Sequence, residues 1–281
     1  MVLPRTPRPE LRLTASLVLF HNDPELYGQA MQSFLAGCAD GVLHVVDNSA
    51  EPLRHPLFEH PRVRYRFLGR NAGFGAAHNI AIRDATPGSD LHLLLNPDIA
   101  FGPEVLPALA RRMADEPDVA ALMPRIQYPD GSLQRLCKLL PTPMDLIFRR
   151  FVPSRSLRER INRRYELHDL PQDGCIEVPT LSGCFLLIRT AVLDRIGGFD
   201  ERYFMYMEDV DLVRRLGDHG RTLYDPSVSV THAYAKGSYR NRRLLNYHLK
   251  SAVAYFFKWG WLIDPIRSRR NRRILQGLNH H

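Results

Sequence analysis

Apolar residues in this chain come in short blocks closed by polar turns. Residues 13–20 (LTASLVLF), 41–46, 63–68 and 91–95 read as strands. Three of them end in polar clusters: His21-Asn22-Asp23-Pro24, Asp47-Asn48-Ser49 and Asn96-Pro97-Asp98. Short apolar runs bounded by turn residues fit strands buried on both faces. Residues 24–35, 73–83 and 103–116 carry helical spacing, and 119–123 reads as a further strand. Strands alternating with helices predict an α/β fold with a right-handed, mostly parallel sheet flanked by helices.

The middle of the chain breaks this rhythm. Residues 128–178 hold Pro129-Asp130-Gly131, Pro141, Pro143, Pro153 and a basic stretch over 149–164. Such proline-rich, strand-poor sequence reads as a partly helical insert. Regular patterning returns over 180–188, then as a helix over 191–196 closed by Gly197-Gly198, a C-cap signal. A helix over 210–217 and a strand over 222–230 follow, the strand running into Thr231-His232. Residues 244–261 (LLNYHLKSAVAYFFKWGW) read as an aromatic-rich helix. The expected organisation is one α/β domain over 1–235, with the insert at 128–178, and a basic, aromatic helical extension over 236–281.

The chain has 281 residues, 44% hydrophobic and 24% charged, enough for a full core. No apolar run approaches the ~20 residues that span a bilayer. The Pro- and Arg-rich start, 1–12, lacks the apolar stretch of a secretory signal. Cys38, Cys137, Cys175 and Cys184 have no metal-ligand spacing and read as reduced thiols. The net charge of +8 is concentrated at the end, where eleven Lys or Arg after residue 235 face one acid, Asp264. That asymmetry points to an anionic partner. Nucleic acid is the weaker candidate, because no binding motif accompanies the charge. A tail helix lying on anionic lipid, with the basic cluster at 267–273 beside it, and a tail helix packed on the core fit the sequence equally.

Candidate chemistry gathers at the strand ends. Asp98 stands where α/β enzymes place ligands, beyond the carboxyl end of a buried strand, although a turn or N-cap Asp would look the same. Asp47 ends the second strand, where an acid can accept from a ribose or nucleobase. Arg70-Asn71-Ala72-Gly73-Phe74-Gly75 opens a helix as a loop suited to phosphate or to close packing on the sheet. Glu208-Asp209-Val210-Asp211 puts three carboxylates at a helix start, where the dipole favours them. The aromatic run 203–207 before them would desolvate an acid and raise its pKa toward useful basicity. Of His44, His78, His92, His219 and His232, only His232 stands at a strand end late in the sheet.

In the order VVDNS, GRNAGFGAAHNIAI, LLLNPD, SGCFLLIR, GGFDERYFMYMEDVDLVRRL and VTH, these motifs resemble an inverting family-2 glycosyltransferase. Within that family the resemblance is greatest to rhamnosyltransferases of bacterial surface-polysaccharide assembly, and it spans residues 13–238. It implies a GT-A (Rossmann-like) fold. It implies Asp209, with Glu208 beside it, as the catalytic acids, Asp209 being the base. Asp47, Asn48, Arg70, Asn71, Asn96, Asp98 and Gly183 would bind the nucleotide sugar. Asp98 and His232 would hold Mg²⁺ or Mn²⁺; Asn96 stands where many relatives have Asp, which leaves one carboxylate for the metal. The implied donor is dTDP-L-rhamnose, with a UDP-hexose or UDP-galactofuranose as the alternative. The implied acceptor is a glycan or polyprenyl-diphosphate-linked saccharide. A non-catalytic sugar-nucleotide-binding module is disfavoured by the presence of Asp98, Asp209 and His232. The implied location is cytoplasmic, peripheral on the inner membrane.

Overall fold

Four parallel strands build one half of the sheet in a computed structural model that describes residues 11–147, 152, 154–233 and 242–278. They are β1 (Leu13–Leu19), β2 (Val42–Asp47), β3 (Val63–Phe67) and β4 (Leu91–Leu95), in the order β3-β2-β1-β4. Every residue of β4 is buried, which explains its unbroken apolar run. Helix α1 (Pro24–Gly37) starts on Asp23, whose carboxylate accepts from the Glu25 N–H, and it buries Tyr27, Met31 and Phe34. Helix α2 (Phe74–Ala85) lays Ala77 and Ala81 on Val18 and Val46 of the other face. Its small residues bring it close to the sheet.

Beyond β4 the sheet changes direction. Strand β8 (Phe185–Arg189) runs antiparallel to β4, with Phe185 opposite Leu95. Next come β6 (Val119–Gln127) and β9 (Arg221–His232), a parallel pair. Short strands β5 (Ile99–Ala100) and β7 (Ile176–Glu177) both pair with β9. The sheet is mixed, and most of its paired length is parallel, as expected. Helices α3 (Val105–Asp115), α6 (Thr190–Ile196) and α7 (Glu208–Leu216) flank it.

The structure revises several boundaries. The strand expected over 180–188 begins only at Phe185, because the preceding residues turn out of the sheet beside Asn96. Strand β6 runs four residues past the expected end, with a register irregularity at Pro124, which has no N–H to donate. Strand β5 is two residues long, too short to leave a pattern. The insert holds α4 (Pro143–Leu146) and α5 (Arg155–Tyr165), in keeping with a partly helical reading. Expectations about 1–10, Arg149 to Phe151, Pro153, Tyr234, Lys236 and Arg240 fall outside the described residues.

The tail forms α8 (Arg242–Trp259) and α9 (Pro265–Leu278). Ala252, Tyr255, Phe256 and Ile274 are buried in the same cluster as the sheet residues. A buried bidentate ion pair fastens the tail. Arg214 of α7 donates to both oxygens of Asp264 at 2.7 and 2.8 Å, and each side chain is 2% exposed. The guanidinium also stacks on Trp259, 4.0 Å from the ring centroid. The basic cluster at 267–273 is partly committed to the protein. Arg267 is buried, donating to the carbonyls of Pro141 and Leu262, and Arg270 donates to the Arg214 carbonyl and to Asp218.

Removing one partner of a buried pair strands the other charge. Asp264→Ala is expected to lower unfolding free energy by ~3–5 kcal/mol. Denaturant titration checks this, and a loss under ~1 kcal/mol would show that the clamp contributes little.

Candidate active site

The acids at the start of α7 rest on an unusual backbone. Tyr206 and Met207, the two residues before Glu208, both have φ of 67°. Left-handed conformations in bulky residues cost ~1–3 kcal/mol each and persist only where surroundings fix them. Here two segments do so. The Phe74 N–H donates to the Phe204 carbonyl at 3.1 Å. A Cβ on Gly73 (φ +91°) would come within 2.5 Å of that same oxygen, so only glycine fits. From α8, the Ser251 hydroxyl donates to the Met205 carbonyl at 2.8 Å, while Tyr247 and His248 pack their rings on Phe204 and Tyr206.

The three carboxylates then separate by environment. Asp211 is fully buried and bound by Arg215, Lys258 and the Trp259 indole, so its place is structural. Glu208 is 7% exposed, and its Oε2 has no hydrogen-bond partner among the described residues. Burial raises its pKa well above the glutamate range, and the charge of Asp209 adds to the effect. Asp209 is half-buried; it accepts from the Gly183 N–H at 3.3 Å and from the Val210 N–H at 2.8 Å. Burial raises its pKa too, while those N–H groups and Lys138 pull it down.

The second cluster lies at the ends of β4 and β9. His232 Nε2 stands 3.2 Å from Asp98 Oδ1. The other ring nitrogen, Nδ1, lies 2.9 Å from Gln134 Oε1, and the Gln134 amide donates to the His232 carbonyl. A carbonyl can only accept, which fixes the amide's orientation and puts the imidazole proton on Nδ1. In that tautomer Nε2 is the ring nitrogen turned toward the Asp98 carboxylate. Oxygen and imidazole donors suit Mg²⁺ or Mn²⁺. Among the described residues no group of three or more His, Cys, Asp or Glu is placed to hold a metal. A cation here would therefore draw its remaining ligands from substrate oxygens or water. Asn96 Oδ1, two residues before Asp98, is buried with no hydrogen-bond partner among the described residues.

The turn before β8 joins the two clusters. Gly183 holds Asp209, and the adjacent Cys184 carbonyl accepts from the Asn96 N–H at 2.8 Å. Burial pushes the Cys184 thiol up to about 12, with the negative charges of Asp98 and Asp209 both contributing. A Cβ on Gly183 would come 3.2 Å from the Asp209 Cβ, so the residue's smallness sets the position of the acid.

Of the nucleotide-side residues, Asp47 and Asn48 are buried and Arg70 is exposed. Asp47 is fully buried, and its carboxylate accepts from Ser49 N–H, Leu53 N–H and the Tyr65 hydroxyl at 2.7–2.9 Å. No part of it reaches a surface where a nucleobase could meet it; it shapes the 48–53 loop from inside. Asn48 is also buried, donating to the Gly73 carbonyl at 3.1 Å, and Asn71 accepts from the Gly73 N–H. Arg70 is exposed beside them. The competing His78 and His92 are fully buried, both hydrogen-bonded to Ser16, and burial lowers each to about 3, so they are neutral core residues. Gln134 and Tyr65, which position His232 and Asp47, left no sequence signal. Each acts through a partner 98 or 18 residues away. A cavity of about 1480 Å³ opens at the other end of the sheet, where β1, β2 and β3 begin; Tyr65 lines it, and the candidate site residues do not.

With this geometry in place, similarity to known proteins is informative. The sequence profile of glycosyl transferase family 2 matches residues 17–197. An N-acetylglucosaminyl-diphospho-decaprenol L-rhamnosyltransferase of Mycobacterium tuberculosis is 34% identical over 226 residues, 74% of this chain and 72% of that protein. Rhamnosyltransferase WbbL of Escherichia coli is 25% identical over 94% of this chain and 98% of its own length. Among solved structures, GalNAc-T7 with UDP, GalNAc and Mn²⁺ superposes with a TM-score of 0.59 at 11% identity. That match covers 88% of this chain, which spans about half of the solved chain (48%). Staphylococcus aureus TarS gives 0.54 at 15% identity. At these identities the structures speak for the GT-A fold alone.

The raised pKa of Glu208 has a sign that stability measurements can read. Its folded value lies above the unfolded value of ~4.3, so the folded state binds the proton more tightly. Stability should therefore fall as pH rises above ~4.3 toward the folded value. Glu208→Gln is expected to flatten that part of the profile and to match or exceed the parent at neutral pH, by denaturant unfolding at a series of pH values. Strong destabilisation at neutral pH would mean that the carboxylate is ionised and bound.

Proposed function

Because the chain belongs to glycosyl transferase family 2, we propose that it is an inverting, metal-dependent enzyme that moves L-rhamnose from dTDP-L-rhamnose to a lipid-linked saccharide. The observation that carries this reading is the Gly183-Cys184 turn, which sets Asp209 on one side and Asn96-Pro97-Asp98 on the other. A transferase needs those two functions adjacent: a base for the incoming hydroxyl and a site for the departing diphosphate. Two relatives named as rhamnosyltransferases support the sugar, and the decaprenol-diphosphate substrate in one name supports the acceptor class. We assign the catalytic unit to residues 1–235, with 236–281 as an extension fastened to it.

In this mechanism Asp209 accepts the acceptor's hydroxyl proton as the oxygen attacks the anomeric carbon. Burial raises the Glu208 pKa, which disfavours a second negative charge beside the base. Asp98 and His232 would hold Mg²⁺ or Mn²⁺, which when bound neutralises charge on the diphosphate. Gln134 fixes the imidazole so that Nε2 faces the site. In this reading the Asn96 amide bonds a donor hydroxyl, and Arg70, exposed beside Asn71, meets a phosphate. Asp47 serves the nucleotide side by holding the loop that carries Asn48.

Asp209→Asn should lower turnover by about 10²–10⁴-fold while dTDP affinity stays within a few-fold; near-parental turnover would remove it as base. In the parent, activity should fall as pH falls through the raised Asp209 pKa, so the acid limb lies above the ordinary aspartate value of ~3.9.

Gln134→Leu should weaken Mn²⁺-dependent dTDP binding by roughly 10–100-fold in calorimetry. Undiminished binding would take His232 out of the metal site.

A further inference from the structure

The outer side of the tail is chemically one-sided. Helices α8 and α9 contain no Asp or Glu, and the one acid between them, Asp264, is sealed against Arg214. On α8 the exposed positions Arg243, Asn246, Lys250, Val253 and Phe257 recur at three- and four-residue steps, so they form one stripe along the helix. The stripe is polar and cationic at its start and apolar at its end. It leads into a turn where Leu262 and Ile263 are 86% and 85% exposed, with Phe257 at 77% beside the Trp261 ring. Single exposed apolar residues are ordinary. Three large ones, almost fully exposed at one helix end, are not explained by packing. Lys250, and Arg269 and Arg272 of α9, are exposed and have no acidic partner among the described residues.

We propose that the α8 stripe and the turn after it form a docking surface for an anionic lipid bilayer. Phe257, Leu262 and Ile263 enter the interface, and Lys250 of the same stripe meets the lipid phosphates. A soluble polyanion would match the cations but leave the apolar tip in water; a bilayer matches both. No helix among the described residues is long and apolar enough to cross a membrane, so this is contact with the surface. The inner side of the same helix holds the 204–206 loop through Ser251, Tyr247 and His248. Docking would place the carboxylates about one helix diameter, ~10 Å, above the lipid. On the proposed reading of the acceptor as lipid-linked, that is where its saccharide emerges.

The test is co-sedimentation of the full chain with phosphatidylcholine vesicles, with and without phosphatidylglycerol, in the absence of donor, acceptor and metal. The parent is expected to partition onto the anionic vesicles and to be released by salt. Leu262→Ser with Ile263→Ser should weaken partition by about tenfold or more, and Lys250→Ala by roughly fivefold. Both variants alter exposed side chains, and unchanged thermal unfolding confirms that they fold. Equal partition of the parent and the double serine variant would overturn the proposal. So would absence of vesicle binding, or binding to an oligonucleotide in preference to vesicles. Because no substrate is present, a chain that transfers sugar yet ignores vesicles refutes docking and leaves the transferase reading standing.

Discussion

Two consecutive left-handed residues, Tyr206 and Met207, decide where the acids of this protein stand. Their backbone is unfavourable in isolation. It is maintained by contacts from chain segments more than a hundred residues apart: the glycine loop before α2, and helix α8 behind it. The consequence is electrostatic. The chain enters α7 at an angle that buries Glu208 and leaves Asp209 half-exposed against Gly183. Neighbouring carboxylates thereby acquire different environments: Glu208 is the more buried, and Asp209 accepts from the Gly183 and Val210 N–H groups. An enzyme that needs a single base is served by that inequality.

The reversal of direction in the sheet completes the site. Had β8 continued the parallel pattern beside β4, its leading turn would lie at the opposite end from Asp98. Running antiparallel, it brings Gly183 and Cys184 directly beside Asn96. The tail is fastened to the elements that carry these acids. Through the Arg214–Asp264 pair and the Trp259 stack it is fixed to α7, and through Ser251 it is fixed to the loop before α7.

Much of this was legible in the sequence because it is local. The apolar blocks at 13–20 and 91–95, the Asp and Pro at the start of α1, and the ordered series of motifs ending in Glu208-Asp209 and His232 each need only neighbouring residues to be recognised. What could not be read depends on partners distant in the chain. Gln134 looks like an ordinary polar residue in the insert until β9 brings His232 to it. Asp47 has the sequence of an exposed strand-end acid, but Tyr65 on the adjacent strand and the 49–53 backbone enclose it. Arg267 and Arg270 belong to a run that reads as a free basic cluster, and only the packing of α9 shows them turned inward onto carbonyls and Asp218.

The claim on which the account turns is that Asp209 acts as a base in a single displacement, without forming a bond to the sugar. Proton NMR of the first-formed product reads this directly from the anomeric configuration. With the β-linked donor dTDP-L-rhamnose the account predicts an α-L-rhamnoside. A β-L-rhamnoside as the first product would mean net retention, and would contradict it.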